Sequence, residues 1–311
     1  MIRFFLSDVG QVLPIAYREI HRYSADQHKI CIDTNITDTG GKTLLTYIAQ
    51  GLIQGISEFL PISSSGHLTL FQYFFNLEDP DANLLTTVAL HFGTLLAVIY
   101  YFRADLLPYA TVAGWKDQAR KRVAMLVVVG SIPTAIIGLG FKKQFEALFS
   151  NPTAVCIALF ATGLLLLVSE KLKQKENRQS LESAPTWKAL TVGVVQGIAV
   201  TPGISRSGST IAASLLLGMK SEDAAKFSFF LMIPAVGGAT LLKGIELIKT
   251  GCPVGVDIGG LVVGTLVSIV TGFLALKLLV YMIKKQKLSY FAYYLFCIST
   301  ISLVLIQFAG K

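Results

Sequence analysis

Charge is scarce in this chain. Asp, Glu, Lys and Arg make up 15% of its 311 residues, against 53% for the hydrophobic types, whereas a soluble domain carries about 25% charged residues. That shortage excludes a soluble globular protein and implies one that crosses a membrane several times. Cysteine is sparse as well. Cys31, Cys156, Cys252 and Cys297 stand at no paired spacing, so neither a disulfide framework nor a cysteine metal centre is supported. Nucleotide-binding signatures are missing: there is no GxxxxGKS or GxxxxGKT, and no GxGxxG after a strand. The net charge of +8 does not signal nucleic acid. Its basic residues cluster in short loops between apolar runs, where they set membrane orientation.

Six apolar runs are long enough to cross a bilayer, which takes about 20 residues. They cover roughly 84–102, 123–141, 153–169, 224–248, 258–283 and 289–308. Two further stretches carry a repeat: GLIQGISEFLPISSSG at 51–66 and GVVQGIAVTPGISRSG at 193–208, identical at eight of sixteen positions without a gap. Each is built from an apolar arm (44–60, then 187–201), a break, and a trailing arm of only ten or eleven residues (67–77, then 209–218). Pro61 breaks the first and Pro202-Gly203 the second. The trailing arms are too short to span and suit re-entrant hairpins. Three spans separate the copies. That odd number makes them enter from opposite faces, as in inverted-repeat membrane proteins. The expected fold is an all-α polytopic membrane protein of about six transmembrane helices plus two re-entrant helical hairpins. Its single membrane domain, 44–308, consists of inverted repeats 44–171 and 187–308. Residues 1–43 are polar and mixed in charge, without the apolar core of a signal peptide. An amphipathic interfacial segment near 4–20 and a weakly structured extension both suit them.

Lys and Arg orient this scheme. Arg103, Lys116, Arg120, Lys121 and Arg122 fill one loop, Lys171, Lys173, Lys175 and Arg178 another, and Lys284, Lys285 and Lys287 a third. Alternating spans put all three on one side, which should be cytoplasmic. The first hairpin then opens to the outside and the second enters from the cytoplasm.

The repeat copies differ where charge is concerned. Glu58 in the first stands where the second has Val200, and Arg206 in the second stands where the first has Ser64. Gln54 and Glu58 are four apart and share a helix face. A carboxylate inside a membrane is costly unless paired or hydrated, so Glu58 is a functional candidate; pairing for structure alone is the bland alternative. Ser63, Ser64, Ser65 and Gly66 open a short helix, either as an anion site or as an ordinary N-cap. His67 follows in the first turn as a candidate acid, base or nucleophile, whereas His91 in the first span reads as an ordinary buried histidine whose loss should spare activity. In the second copy Ser205, Arg206, Ser207, Gly208, Ser209 and Thr210 surround another helix start. Arg206 could grip phosphate bidentately or serve only as the partner of Glu58. A phosphate-bearing lipid, with a divalent cation held at the acidic group, is the economical substrate reading.

The stretch 51–67 and the run PGISRSGS from Pro202 to Ser209 resemble the undecaprenyl-pyrophosphate phosphatase family, the BacA-type bacitracin-resistance proteins. Further likeness lies in HFGTLLAV at His91 and FSFFLMIPA at Phe227. The resemblance runs from about Leu44 to the C-terminus. It implies a hydrolase of undecaprenyl diphosphate that recycles the lipid carrier for peptidoglycan and other envelope polymers and depends on Mg2+ or Ca2+. The family's acidic motif falls on Gln54 and Glu58, expected to hold the metal. Its serine motif falls on Ser63, Ser64, Ser65 and His67, and its arginine motif on Ser205, Arg206 and Ser207. The expected mechanism makes Ser64 the nucleophile with His67 as its base; His67 as nucleophile is the rival. A bacterial plasma membrane is implied, with the site on the outer, periplasmic side. The expected partners are a long-chain prenyl diphosphate and the bilayer, with no nucleic acid, and a homodimer is left open. A lipid-phosphate transporter or flippase is the alternative function, and an ion channel or structural protein a more distant one.

Overall fold

The computed structural model describes residues 40–77, 80–172, 178–250, 256–285 and 287–309. The interfacial segment expected near 4–20 lies outside the described residues. Regular structure among the described residues is helical, apart from one backbone bridge between Gln179 and Met219. The helices are α1 (Gly40–Phe59), α2 (Ser64–Phe74), α3 (Pro80–Tyr101), α4 (Arg103–Leu106), α5 (Gln118–Gly140), α6 (Lys142–Phe149), α7 (Pro152–Leu172), α8 (Thr186–Ile198), α9 (Arg206–Leu216), α10 (Ser221–Thr250), α11 (Ile258–Lys284) and α12 (Ser289–Ala309). Six of these, α3, α5, α7, α10, α11 and α12, are long and apolar enough to cross a membrane. They coincide with the six apolar runs of the sequence.

The two hairpins, α1–α2 and α8–α9, break where the sequence dictates. After α1 the chain turns at Pro61, and Ser63 caps α2 by accepting a hydrogen bond from the amide of Gly66. After α8 it turns at Pro202 and Gly203, and Ser205 caps α9 by accepting from Gly208. Gly203 has φ +92°, and a Cβ there would lie 2.4 Å from the Val155 carbonyl oxygen, so both backbone and space demand glycine.

Packing repeats in the two halves. Helix α1 lies against α11, and its counterpart α8 lies against α5; α3 meets α10, and α7 meets α12. This crossed pattern is what a two-fold relation between halves produces. Small residues allow the close approach. A Cβ on Gly51 would fall 2.3 Å from the Gly264 carbonyl oxygen, and one on the equivalent Gly193 would fall 2.0 Å from that of Gly130. The hairpin tips also cross. A Cβ on Gly66 would meet Gly203 Cα at 2.9 Å, and one on Gly208 would meet Pro61 Cβ at 3.1 Å.

The described parts of the three basic loops gather at one end of the bundle, where Arg178 donates to Ser221 at 3.1 Å. Lys226 pairs with Asp105 at 2.5 Å, Lys284 with Glu222 at 3.1 Å, and Arg122 donates to the Ala184 carbonyl at 2.7 Å. Gln179, just before α8, bonds through its backbone to Gly218 and Lys220, just after α9. Both ends of the second hairpin therefore lie together at that basic end. Helix α6, eight residues between two spans, has no counterpart in the sequence reading. It is too short to leave a periodic signal.

Gly51→Ala and Gly193→Ala are each expected to cost about 1–3 kcal/mol, because a backbone must yield. Thermal melts in detergent should show both midpoints lowered. Gly238→Ala, where nothing lies within 4 Å of the added carbon, should not lower it.

Candidate active site

The crossing of the tips brings Glu58 and Arg206 together. Glu58 sits in the last turn of α1 and Arg206 is the first residue of α9. Arg206 Nη2 donates to Glu58 Oε1 at 2.6 Å across 148 residues of sequence. Glu58 is 6% exposed, so its charge depends on the groups around it rather than on water. The other oxygen, Oε2, accepts from Ser64 Oγ at 2.5 Å and from Gln54 Nε2 at 3.1 Å. Gln54 is anchored in turn by Thr94 on α3, at 3.3 Å.

The serine clusters line both helix starts. Ser63 and Ser65 hydroxyls lie 3.3 Å apart, and the equivalent Ser205 and Ser207 repeat that spacing. Ser207 Oγ reaches the Leu60 carbonyl at 3.4 Å, tying the second tip to the first. Thr162 on α7 holds the second tip from behind: it donates to the Gly203 carbonyl at 3.2 Å and accepts from the Ser205 amide at 3.2 Å. Thr210 is engaged elsewhere: its hydroxyl lies 2.6 Å from that of Ser228 on α10 and 2.8 Å from the Arg206 carbonyl. Ser209 is buried, and its hydroxyl has no hydrogen-bond partner.

Backbone strain marks only one copy. Ser63 has φ 70°, a left-handed value, whereas Ser205 has φ −73°. A non-glycine residue there costs roughly 1–3 kcal/mol and persists only where its surroundings hold it. Here the Gly66 amide donates to the Ser63 side chain, and His67 Nδ1 donates to the Ser63 carbonyl at 2.7 Å.

The histidines depart from expectation. As read from sequence, His67 would take the proton of Ser64. In the structure that hydroxyl turns to Glu58 instead. With Nδ1 donating to Ser63, His67 Nε2 accepts from Tyr294 of α12 at 2.7 Å, the rings stacked with centroids 5.6 Å apart. His91, read as an ordinary buried histidine, stands in the site with its Nε2 3.3 Å from Glu58 Oε2. Sequence reading missed Tyr294 altogether and dismissed His91. The available signal was the polar stripe Thr87, His91 and Thr94 at helical spacing within an apolar run.

Two more unsatisfied groups lie beside the central pair. Arg206 Nη1 is buried without a hydrogen-bond partner, and so is Gln54 Oε1. A buried donor beside two serine-lined helix starts suits an oxyanion. A buried amide oxygen beside a carboxylate suits a hard cation.

Fold and site define a class: a polytopic membrane protein in which a buried Glu–Arg pair joins the tips of two symmetry-related helical hairpins. The family model described as "Bacitracin resistance protein BacA" matches residues 47–301, and the chain belongs to that family. Curated relatives named undecaprenyl-diphosphatase include that of Carboxydothermus hydrogenoformans, 40% identical over 262 residues, covering 84% of this chain and 96% of the relative. That of Desulfatibacillum aliphaticivorans is 39% identical over 277 residues, covering 84% and 98%. That of Halothermothrix orenii is 41% identical over 258 residues, covering 83% and 96%.

Breaking the central pair from one side strands a buried charge. Glu58→Ala and Arg206→Ala should each lose about 3 kcal/mol or more of stability. The double variant should lose less than the two singles together, because the second removal discards an already unpaired group. A strictly additive double-mutant cycle would show that the two side chains are not coupled.

Proposed function

We propose that the protein is an integral-membrane hydrolase that converts undecaprenyl diphosphate to undecaprenyl phosphate and inorganic phosphate. It thereby regenerates the lipid carrier for peptidoglycan and other envelope polymers and confers bacitracin resistance. The observation that carries this reading is Arg206. One terminal nitrogen is engaged by Glu58, while Nη1 is buried and unpartnered. Leaving such a donor unmet costs about 1–3 kcal/mol, which a phosphoryl oxygen would recover.

The chemistry follows from the contacts around Glu58. Arg206 Nη1 and first-turn amides of α2 and α9 bind the terminal phosphoryl oxygens. Ser64 is the nucleophile. Its hydroxyl already donates to Glu58 Oε2, so the proton passes to that carboxylate as the Oγ–P bond forms. The bond from phosphorus to the bridging oxygen breaks, and the prenyl monophosphate leaves with that electron pair. Water then attacks the phosphoserine; the P–Oγ bond breaks, Ser64 Oγ takes back the proton held by Glu58, and phosphate leaves with the elements of water. His67 positions the α2 start through Ser63 and Tyr294. Phosphoryl transfer needs mainly placement and charge neutralisation, which this arrangement supplies. Glu58 and Gln54 Oε1, a carboxylate and an unpartnered amide oxygen, would be the residues to hold a divalent cation, Mg2+ or Ca2+. When bound, it would neutralise charge on the diphosphate.

The chain lies in the bacterial plasma membrane, with both hairpins re-entrant, the basic loops cytoplasmic and the pocket open to the outer side. Support comes from the gathering of the described parts of the three basic segments at one end of the bundle, which the positive-inside rule assigns to the cytoplasm.

Purified protein in detergent, given a long-chain prenyl diphosphate, should release phosphate. Hydrolysis needs no second compartment, which separates it from transport. Arg206→Ala should lower kcat/KM by at least about 100-fold, the scale for losing a main charge stabiliser. Arg206→Lys should fail too, because Lys lacks the planar fork. Wild-type protein that releases nothing, or an Arg206→Lys enzyme near full activity, would refute the assignment.

A further inference from the structure

Both hairpin tips rest on one face of α7. Val155, Leu159 and Thr162 recur there at helical spacing, and all three are buried. A Cβ on Gly203 would strike the Val155 carbonyl oxygen at 2.4 Å and Ala158 Cβ at 2.8 Å. One on Gly66 would reach Leu159 Cδ2 at 3.0 Å. Thr162 is the polar member of this otherwise apolar bed.

Its hydroxyl serves the turn that aims Arg206. Between α8 and α9 the Ile204 amide donates to the Thr201 carbonyl at 3.1 Å. The next two polar groups of the turn go to Thr162 instead. Its Oγ1 donates to the Gly203 carbonyl at 3.2 Å and accepts from the Ser205 amide at 3.2 Å. The same proton is shared with the Ala158 carbonyl at 3.0 Å, one turn back on α7. A single oxygen thus ties a membrane-spanning helix to both peptide groups flanking Ile204. Ser205 is buried, so without that oxygen its amide would be left unmet.

The first tip is held differently, from within its own hairpin, by His67 Nδ1 on the Ser63 carbonyl at 2.7 Å. Arg206 follows Ser205 directly and heads α9. Any shift of the turn therefore carries the guanidinium and the first-turn amides of α9 with it, relative to Ser64 on the other tip.

We propose that Thr162 is a positioning residue for phosphoryl transfer: by pinning the turn before α9, it sets where Arg206 Nη1 stands relative to Ser64 Oγ. The proposal rests on the hydrolase reading and deepens it. Misplacing a group by about 1 Å costs about 100-fold in rate, so one hydroxyl remote from the phosphorus has leverage.

The test uses the full chain in detergent. It pairs turnover of a long-chain prenyl diphosphate with binding of the non-hydrolysable prenyl methylenediphosphonate. Thr162→Val keeps the shape and removes the hydroxyl. It should lower kcat/KM and weaken analogue binding, the former by at least about tenfold. Thr162→Ala, a second hydroxyl-free form, should fall with it, so the outcome does not hang on one variant folding. Thr162→Ser should return to within about threefold of wild type. Arg206→Lys keeps a cation beside Glu58 but has lost the fork. In that background Thr162→Val should cost less than about threefold more, because the group it aims is gone. A merely structural role would subtract the same factor in both backgrounds. Hydroxyl-free variants near wild type, a Ser variant as impaired as Val, or a full loss repeated in Arg206→Lys would overturn the proposal. If wild type releases no phosphate, the hydrolase reading falls and analogue binding decides Thr162. Losses coupled to Arg206 then support it, and additive losses overturn it.

Discussion

One carboxylate and one guanidinium, drawn from segments 148 residues apart, hold the two halves of this molecule together at their centre. Neither charge is tolerable alone in a membrane interior, and much of the local architecture follows from that constraint. Glycines at the tips let the backbones approach until Arg206 can reach Glu58 at 2.6 Å. Gln54, Ser64 and His91 then converge on the remaining oxygen. A single group thus receives contacts from α1, α2, α3 and α9.

The two-fold relation supplies the frame, and departures from it supply the chemistry. Both hairpins have a serine cap, a Ser–Ser contact and a buried glutamine. In the second half Gln196 donates to Thr134 at 3.1 Å, and no carboxylate stands nearby in sequence because Val200 takes its place. The strained serine backbone belongs to the first half alone. Equal scaffolds therefore hold unequal polar groups, which is how a pair of opposite charges can arise at the meeting point of two repeats.

Much of this was legible in the sequence. Long apolar runs mark spans without ambiguity, and proline, glycine and serine caps act locally, so the six spans and both hairpin breaks fall where expected. The Glu58–Arg206 pairing could be read because two gapless copies differ in charge at equivalent neighbourhoods. The histidine roles could not. Ser64 and His67 are three apart and nominally share a helix face, but the Ser63 carbonyl, four residues before His67, captures its Nδ1 and draws it away. For His91 the decisive contact is made by the packing of α3 on α1. The rotation of one helix against another is not written in local spacing. Tyr294 meets His67 across 227 residues and has no motif of its own.

The interlocked tips impose an order on biosynthesis. Glu58 is translated well before its partner; at about 5–20 residues per second, the 148 residues between them take about 7–30 s. Through that interval the leading hairpin carries an acid without its guanidinium partner, so the carboxyl must stay hydrated, hold a proton or lean on His91 alone. Final seating comes when the trailing hairpin leaves the ribosome and crosses it. The first half of this protein thus completes its site only after the second arrives, and a chain cut between the repeats would keep its acid without the guanidinium that balances it.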